Sequence, residues 1–353
     1  MSPVTAKAIV QRNRESGRVL VEETIELPAL EEHQVLVRVI NSALNPTDVQ
    51  SFDGDAFGDG AVLGCDFAGI VEELGPKVST FVVGDRIVAL IWGGEIHPLG
   101  AYSTYCIADE RISFKIPKGL DFPEASTIPL ASNTAWLALL SKDCLNIPRS
   151  NTKGTSVLVW GGSSTVGIFA IQLSRKLGLD VVTTCSPRNN DVVKSAGASL
   201  VFDYRDPLVV AKIAETVPDL RYAFDTIGNA TSSTMAAEAM GSNKGNVCTV
   251  RPGKQYTENV PKHILVTDVL VFTAFLKPHV YKKVYKWPTR PEDHALSAEL
   301  YQSLPQWIEQ GVFKPQRTRR MGKLSAETLA KAMQLYRDNA LSNEKCVFDV
   351  GTA

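Results

Sequence analysis

The chain has 353 residues, enough for two domains of ordinary size, and its 44% hydrophobic and 21% charged content is that of a soluble globular protein. A net charge of -1 sets up no global field for nucleic acid or an anionic membrane, and no apolar run approaches the roughly 18 residues that a membrane helix needs. Six scattered cysteines (Cys65, Cys106, Cys144, Cys185, Cys248, Cys346) form no C-x-x-C pair, which disfavours a zinc lobe or a disulfide framework. The opening "MSPVTAKAIVQRN" lacks the apolar core of a secretory signal, so a cytoplasmic protein with reduced thiols is expected.

Taken in chain order, the first 127 residues read as strands and turns. "AKAIV", "HQVLVRVINSAL", "AGIVEELG" and "AYSTYCIAD" are β-branched or apolar runs bounded by Gly, Pro or Asn. A helix is expected over "ASNTAWLALLSKDC". From residue 157 strands and helices alternate: "SVLVW", "DVVTTC", "SLVFDY", "YAFDTI" and "NVCTV" are separated by helical stretches such as 166–177 and 189–196. That alternation predicts a parallel sheet covered on both faces. Residues 270–276 read as a further strand. The tail holds two helical stretches, "HALSAELYQSLPQWIEQG" and "SAETLAKAMQLYRDNA", and closes on a strand, "KCVFDV".

The stretch "VLVWGGSSTVGIFAIQLSRKLG" carries the first chemical signal. A strand meets a small-residue loop and then a helical pattern, which is how a dinucleotide site opens. Gly162 and Gly167 fill the outer places of G-x-G-x-x-G, and Ser164 fills the middle one. Serine is small and its N–H and hydroxyl both donate, so the loop with Thr165 and Val166 still suits a pyrophosphate at a helix N-terminus. The same loop also fits a strand–helix turn with no ligand. The next strand ends in "CSPRNN", with no acid for a ribose 2′-hydroxyl. Ser186, Pro187, Arg188 and Asn189 stand there instead, and an arginine pairs with a 2′-phosphate where an acid would repel it. This favours NADPH. Tyr204, at the end of "VFDY", is placed to lie against the adenine.

Five segments together carry a family resemblance: "NSALNPTDV", "LGCDFAGIVEELG", "GDRIVAL", "SNTAWLAL" and "VLVWGGSSTVG". In that order they resemble the medium-chain dehydrogenase/reductase superfamily, in its zinc-free quinone oxidoreductase branch. "TCSPRNNDVVKSAGASLVFDYRDP", "LRYAFDTI" and "LSNEKCVFDV" narrow the resemblance to the fungal trans-acting enoyl reductases of polyketide synthases, the lovastatin type. The resemblance implies an α/β fold. A GroES-like β-barrel catalytic domain (1–127, completed by 291–353) flanks a Rossmann doubly wound NADPH-binding domain (128–290), with the active-site cleft where the two meet.

Residue by residue, the resemblance implies that Thr47, Asp48, Val49 and Gln50 lie beside the nicotinamide and that Thr134 holds its carboxamide. It places Val250 and Arg251 at the nicotinamide ribose and brings Ser342 and Asn343 in from the tail. Ala135, Trp136, Leu137, Ala138, Leu139 and Leu140 would form one substrate wall. Phe272, Thr273, Ala274, Phe275 and Leu276 would form the other. Zinc-bearing relatives use a Cys where this chain has Asn45–Asp48 and a His-Glu pair where it has Cys65 and Asp66; no metal is expected, and Cys65 and Asp66 are read as a buried thiol and a structural acid. The lovastatin-type enzyme has a lysine at the place of Gln50, which keeps hydrogen bonding but loses the charge; some enoyl reductases of the wider superfamily use a tyrosine in this neighbourhood as proton donor, and Val49 and Gln50 offer none, so no general acid is named. The implied activity is NADPH-dependent reduction of an α,β-unsaturated thioester on a synthase acyl carrier domain, by a monomer or homodimer. "RTRR" (Arg317, Arg319, Arg320) and "YKKVYK" (Lys282, Lys283, Lys286) are candidate docking surfaces. A reductase of free quinones or enones, and a non-catalytic NADPH-binding protein, stay open as alternatives.

Overall fold

The computed structural model describes residues 4–352. The chain forms two compact units, residues 1–130 with 272–353, and residues 131–271. In the first, β1 (Thr5–Arg14) and β2 (Gly17–Glu26) make an antiparallel hairpin. β3 (Gln34–Ala43) is followed by α1 (Pro46–Asp53), β4 (Asp66–Leu74), β5 (Arg86–Leu90), β6 (Tyr105–Asp109) and β7 (Ser113–Lys115). α2 (Phe122–Ala125) and α3 (Pro129–Leu140) lead out of this unit.

α1 interrupts what the sequence presents as strands and turns. Pro46 sits at its first position, where a missing N–H costs nothing, and the Asn45 N–H donates to Asp48 Oδ2 at 2.7 Å, half of a capping box. "NPTD" was the signal for it.

The second unit continues with β8 (Ser156–Trp160), α4 (Thr165–Lys176), β9 (Asp180–Cys185), α5 (Asn190–Ala196) and β10 (Leu200–Asp203). Then follow α6 (Val209–Thr216), β11 (Tyr222–Asp225), α7 (Ser232–Glu238), β12 (Gly245–Thr249) and β13 (Ile264–Asp268). Its sheet is parallel, in the order β10-β9-β8-β11-β12-β13. Val157, Leu158 and Val159 are fully buried, as a strand covered on both faces requires. Strand order reverses between β8 and β11, so the carboxyl ends of these two strands frame a topological switch point.

The chain then returns to the first unit through β14 (His279–Tyr281), β15 (Tyr285–Trp287), α8 (Pro291–Glu309), β16 (Thr318–Lys323), α9 (Ala326–Arg337) and β17 (Lys345–Asp349). β17 pairs antiparallel with β3 and parallel with β16, extending the sheet β16-β17-β3-β4-β5-β7. The return begins at Phe272, earlier than the sequence boundary of 290/291. Aromatic packing accounts for the difference: Phe272 stacks on Trp92 at 4.0 Å, and Tyr281 contacts Phe57 at 5.9 Å. Residues 271–274 form a short 3-10 turn where a strand was expected. Among the described residues, no helix is long and apolar enough to cross a membrane.

Candidate active site

In the second unit the turn after β8 is built from small residues because nothing larger fits. A Cβ on Gly162 would stand 2.0 Å from Thr183 Oγ1, and one on Gly167 would stand 2.4 Å from the Gly161 carbonyl oxygen. Ser164, the departure from the glycine pattern, is the N-cap of α4: its Oγ accepts the Gly167 N–H at 2.9 Å. The same hydroxyl lies 2.9 Å from Thr226 Oγ1, which joins the β8 turn to the β11 end across the switch point. The N–H groups of Thr165 and Val166, at the first two helical positions, have no carbonyl one turn back to receive them. They suit an anion, and the close-packed glycine cradle admits a pyrophosphate against the backbone.

The β11 end depends on a residue that the sequence reading missed. Asp225 is fully buried and its carboxylate accepts from the Ile227 and Gly228 N–H groups, each at 3.0 Å. The Ser232 and Ser233 hydroxyls donate to it at 2.7 and 2.6 Å. The "DTIGN" spacing was the available signal, an acid whose backbone folds back onto it.

At the end of β9, Ser186 is half-buried, Pro187 and Arg188 are exposed, and Asn189 is buried. Arg188 has no ion-pair partner among the described residues. One strand over, Arg205 forks onto Asp203 at 2.9 and 3.0 Å and holds that carboxyl below the usual carboxylate range. Tyr204 is 45% exposed, with the Arg205 guanidinium 5.9 Å from its ring centre. Val250 and Arg251 follow β12, and Arg251 Nε donates to the Gly228 carbonyl at 2.6 Å. Thr134 and the stretch Ala135 to Leu140 lie on α3 and are buried, with the Arg149 guanidinium 5.4 Å over the Trp136 ring.

In the first unit, Thr47 and Gln50 are half-buried, whereas Asp48 and Val49 turn into the core. Asp48 accepts from the Tyr102 hydroxyl at 2.9 Å and from Cys65 Sγ at 3.3 Å. Burial pushes its pKa up to about 6 against these hydrogen bonds. Burial, and then the charges of Asp48 and Asp66, push the Cys65 thiol well above its ordinary value, so it stays protonated. Asp66 accepts from the Leu130 N–H at 2.7 Å, from Asn45 Nδ2 at 3.0 Å and from Lys345 Nζ. Lys345 also reaches the Thr127 carbonyl at 3.3 Å.

This donor set does not fit the zinc ion held by some proteins of this fold. A neutral amide and a protonated thiol are poor ligands; of the two carboxyl groups, Asp66 already carries an ammonium and Asp48 is occupied by the Asn45 N–H, the Tyr102 hydroxyl and the Cys65 thiol. Asp66 and Cys65 are thus the structural acid and buried thiol that their positions implied; the long-range partner Lys345 was not foreseen.

Ser342 and Asn343 precede β17 and are half-buried; Asn343 Oδ1 accepts from Gln316 Nε2 at 3.1 Å. Phe272, Thr273, Ala274 and Phe275 are buried, and the Phe272 face is occupied by Trp92; Leu276 is 44% exposed.

A small-residue turn at a β8/β11 switch point of a parallel sheet, in a chain whose other unit is built on a mostly antiparallel sheet, has the α/β architecture of the medium-chain dehydrogenase/reductases. Residues 31–118 match the alcohol dehydrogenase GroES-like domain. Over 355 residues the chain is 33% identical to the trans-enoyl reductase pyiC of Pyricularia grisea, covering 98% of this chain and 94% of that one. It is also 33% identical to lovC of Aspergillus terreus, the enoyl reductase component of lovastatin nonaketide synthase, over 95% and 96% of the two chains. The solved CurK enoyl reductase superposes with a TM-score of 0.74 at 19% identity over 98% and 99% of the chains, which speaks to the fold. The chain belongs to the medium-chain dehydrogenase/reductases, among the fungal trans-enoyl reductases, with their GroES-like and Rossmann fold.

Proposed function

We propose that the chain is an NADPH-dependent enoyl reductase that acts in trans on an α,β-unsaturated polyketide thioester carried by a synthase acyl carrier domain. The end of β9 carries the cofactor reading: Arg188 is exposed and unpaired among the described residues, and the nearby acid Asp203 is neutralised by Arg205. A 2′-phosphate meets cations and donors there, with Ser186 and Asn189 beside Arg188. The Ser164 cap, Thr165, Val166 and the Gly162–Gly167 cradle would hold the pyrophosphate. Tyr204 would cover the adenine. Thr47, Gln50, Thr134, Val250, Arg251, Ser342 and Asn343 would hold the nicotinamide end. NADPH, when bound, supplies hydride to the β-carbon of the enoyl group. The chain orients the thioester, excludes water and supplies donors to the oxygen where enolate charge develops.

Charge balance favours one of the two docking candidates. Arg317 is exposed with no ion pair among the described residues, but Arg319 is paired with Glu344 at 3.1 Å and Arg320 with Asp349 at 2.5 Å, which leaves one open charge of three. Lys282, Lys283 and Lys286, on the β14–β15 hairpin, are exposed and have no ion pair among the described residues. An acidic carrier domain therefore finds uncompensated charge on the hairpin.

The test compares NADPH oxidation on a carrier-bound enoyl chain with that on free enones and quinones. Turnover on the carrier-bound chain supports the reading. Turnover on free enones alone makes the chain a quinone or enone reductase, and cofactor binding without any turnover makes it a non-catalytic binding protein.

A further inference from the structure

β9 and β10 run parallel and in step, with Asp203 opposite Cys185. Both strands therefore end at one level, and the next residues, Ser186 and Tyr204, open neighbouring turns at the carboxyl edge of the same sheet. That edge is where a unit of this fold reads the adenosine ribose, and an acid there favours a 2′-hydroxyl over a 2′-phosphate. β9, the strand that usually carries the acid, has none after it. Its neighbour β10 ends on one, Asp203. The carboxylate acts on the end of β9: burial first, and then the Asp203 charge, push the Cys185 thiol up to about 11.

Both oxygens of this carboxylate are taken. Asp203 Oδ1 accepts from the Arg205 N–H at 3.1 Å and from Arg205 Nε at 3.0 Å, and Oδ2 accepts from Arg205 Nη2 at 2.9 Å. The three donors belong to one residue, two places on. The Arg205 and Asp203 side chains are 58% and 30% exposed, and a pair so open to water adds little to stability, so folding is a weak reason for the clamp. The other acid of the turn, Asp206, is held by Lys212 and by the Leu208 N–H at 2.9 Å. Arg188, across from them at the end of β9, has no ion-pair partner among the described residues.

We propose that Arg205 is a positioning residue for cofactor choice: it masks Asp203, and the mask is what lets the end of β9 accept a 2′-phosphate in place of a bare ribose hydroxyl. The proposal rests on the NADPH reading above and divides its selectivity between two arginines with different tasks. Arg188 offers an open cation to the phosphate. Arg205 keeps closed an acid that, uncovered, would repel the phosphate and accept a hydrogen bond from the hydroxyl.

Arg205→Met keeps an unbranched side chain and removes the guanidinium. Calorimetric dissociation constants of the full chain for NADPH and NADH should then move in opposite directions, NADPH weaker by roughly 10-fold and NADH tighter by roughly 3-fold. Adding Asp203→Asn removes the uncovered charge and should return NADPH to within about 3-fold of the wild type. An NADPH loss that Asp203→Asn does not restore overturns the proposal, because Arg205 then touches the phosphate itself. Unchanged constants in Arg205→Met overturn it as well. So does parallel weakening of both cofactors, which assigns the pair to folding. Failure of the NADPH reading has a different signature, which removes the proposal with it: the wild type itself binds NADH as tightly as NADPH.

Discussion

At Gly162 a methyl group would stand 2.0 Å from a threonine hydroxyl, and at Gly167 2.4 Å from a backbone carbonyl, so the β8 turn is specified by what its side chains lack. Around Asp66 the reverse holds. Three donors from distant parts of the chain converge on a carboxylate that no solvent reaches. The turn is sensitive to bulk and the Asp66 network to charge, and each should be indifferent to the other's kind of change. Substitutions in both regions probe that contrast.

The largest effect is expected at Lys345→Met, which leaves a buried carboxylate without its cation. Chemical denaturation should show a loss of about 3–5 kcal/mol, and adding Asp66→Leu should return more than half of it. A loss under about 1 kcal/mol would mean that water reaches Asp66 after all. Next comes Arg188→Ala on the nucleotide side. NADPH binding measured by calorimetry should weaken by about 1.5–3 kcal/mol, with NADH binding unchanged. Equal affinity of the wild type for the two cofactors would remove the basis of that assignment.

Gly162→Ala should cost about 1–3 kcal/mol of stability through overpacking. Because the obstacle is the Thr183 side chain, Thr183→Ala should relieve most of that cost. Gly167→Ala meets backbone and should have no such remedy, which thermal melts of the three variants will read.

The smallest effect is at Asp48, whose folded pKa of about 6 lies above its ordinary value because of burial. The folded state then binds its proton more tightly than the unfolded state. That contribution to stability is complete below about pH 4 and is lost as pH rises through about 6. Asp48→Asn does not titrate there, so it should gain on the wild type by about 1–2 kcal/mol between pH 5 and 8. A difference in melting temperature that ignores pH would show that Asp48 is ionised throughout.

The two regions also differ in how far a sequence discloses them. The β8 turn lies in one short stretch, so its apolar strand, small residues and helical periodicity are read together. Even Ser164 was intelligible in advance, as a small donor in a glycine place, although its capping of α4 was not. The network around Asp66 joins residues 279 apart, and nothing local in "NEKCVF" says that its lysine is buried. The hydrogen bond that Gln50 Nε2 donates to the Tyr336 hydroxyl at 3.0 Å, across 286 residues, was hidden for the same reason. α1 is hard to read inside a strand-rich region because it is only eight residues long and its cap coincides with the family motif "NPTD". The stretch 270–276 misled because apolar residues of a short turn and of a buried strand look alike; the stacking of Phe272 on Trp92 decided the matter.

β17 also puts a clock on the first unit. At ordinary rates of synthesis the 279 residues between Asp66 and Lys345 take on the order of tens of seconds to emerge. For that time β3 lacks the neighbour it meets at Val347–Asp349, and Asp66 lacks its ammonium. Residues 131–271, by contrast, contain every strand of their own parallel sheet and can close as soon as they appear. The inserted unit is therefore the natural first folder, and the segment that precedes it in the chain is the one that must wait.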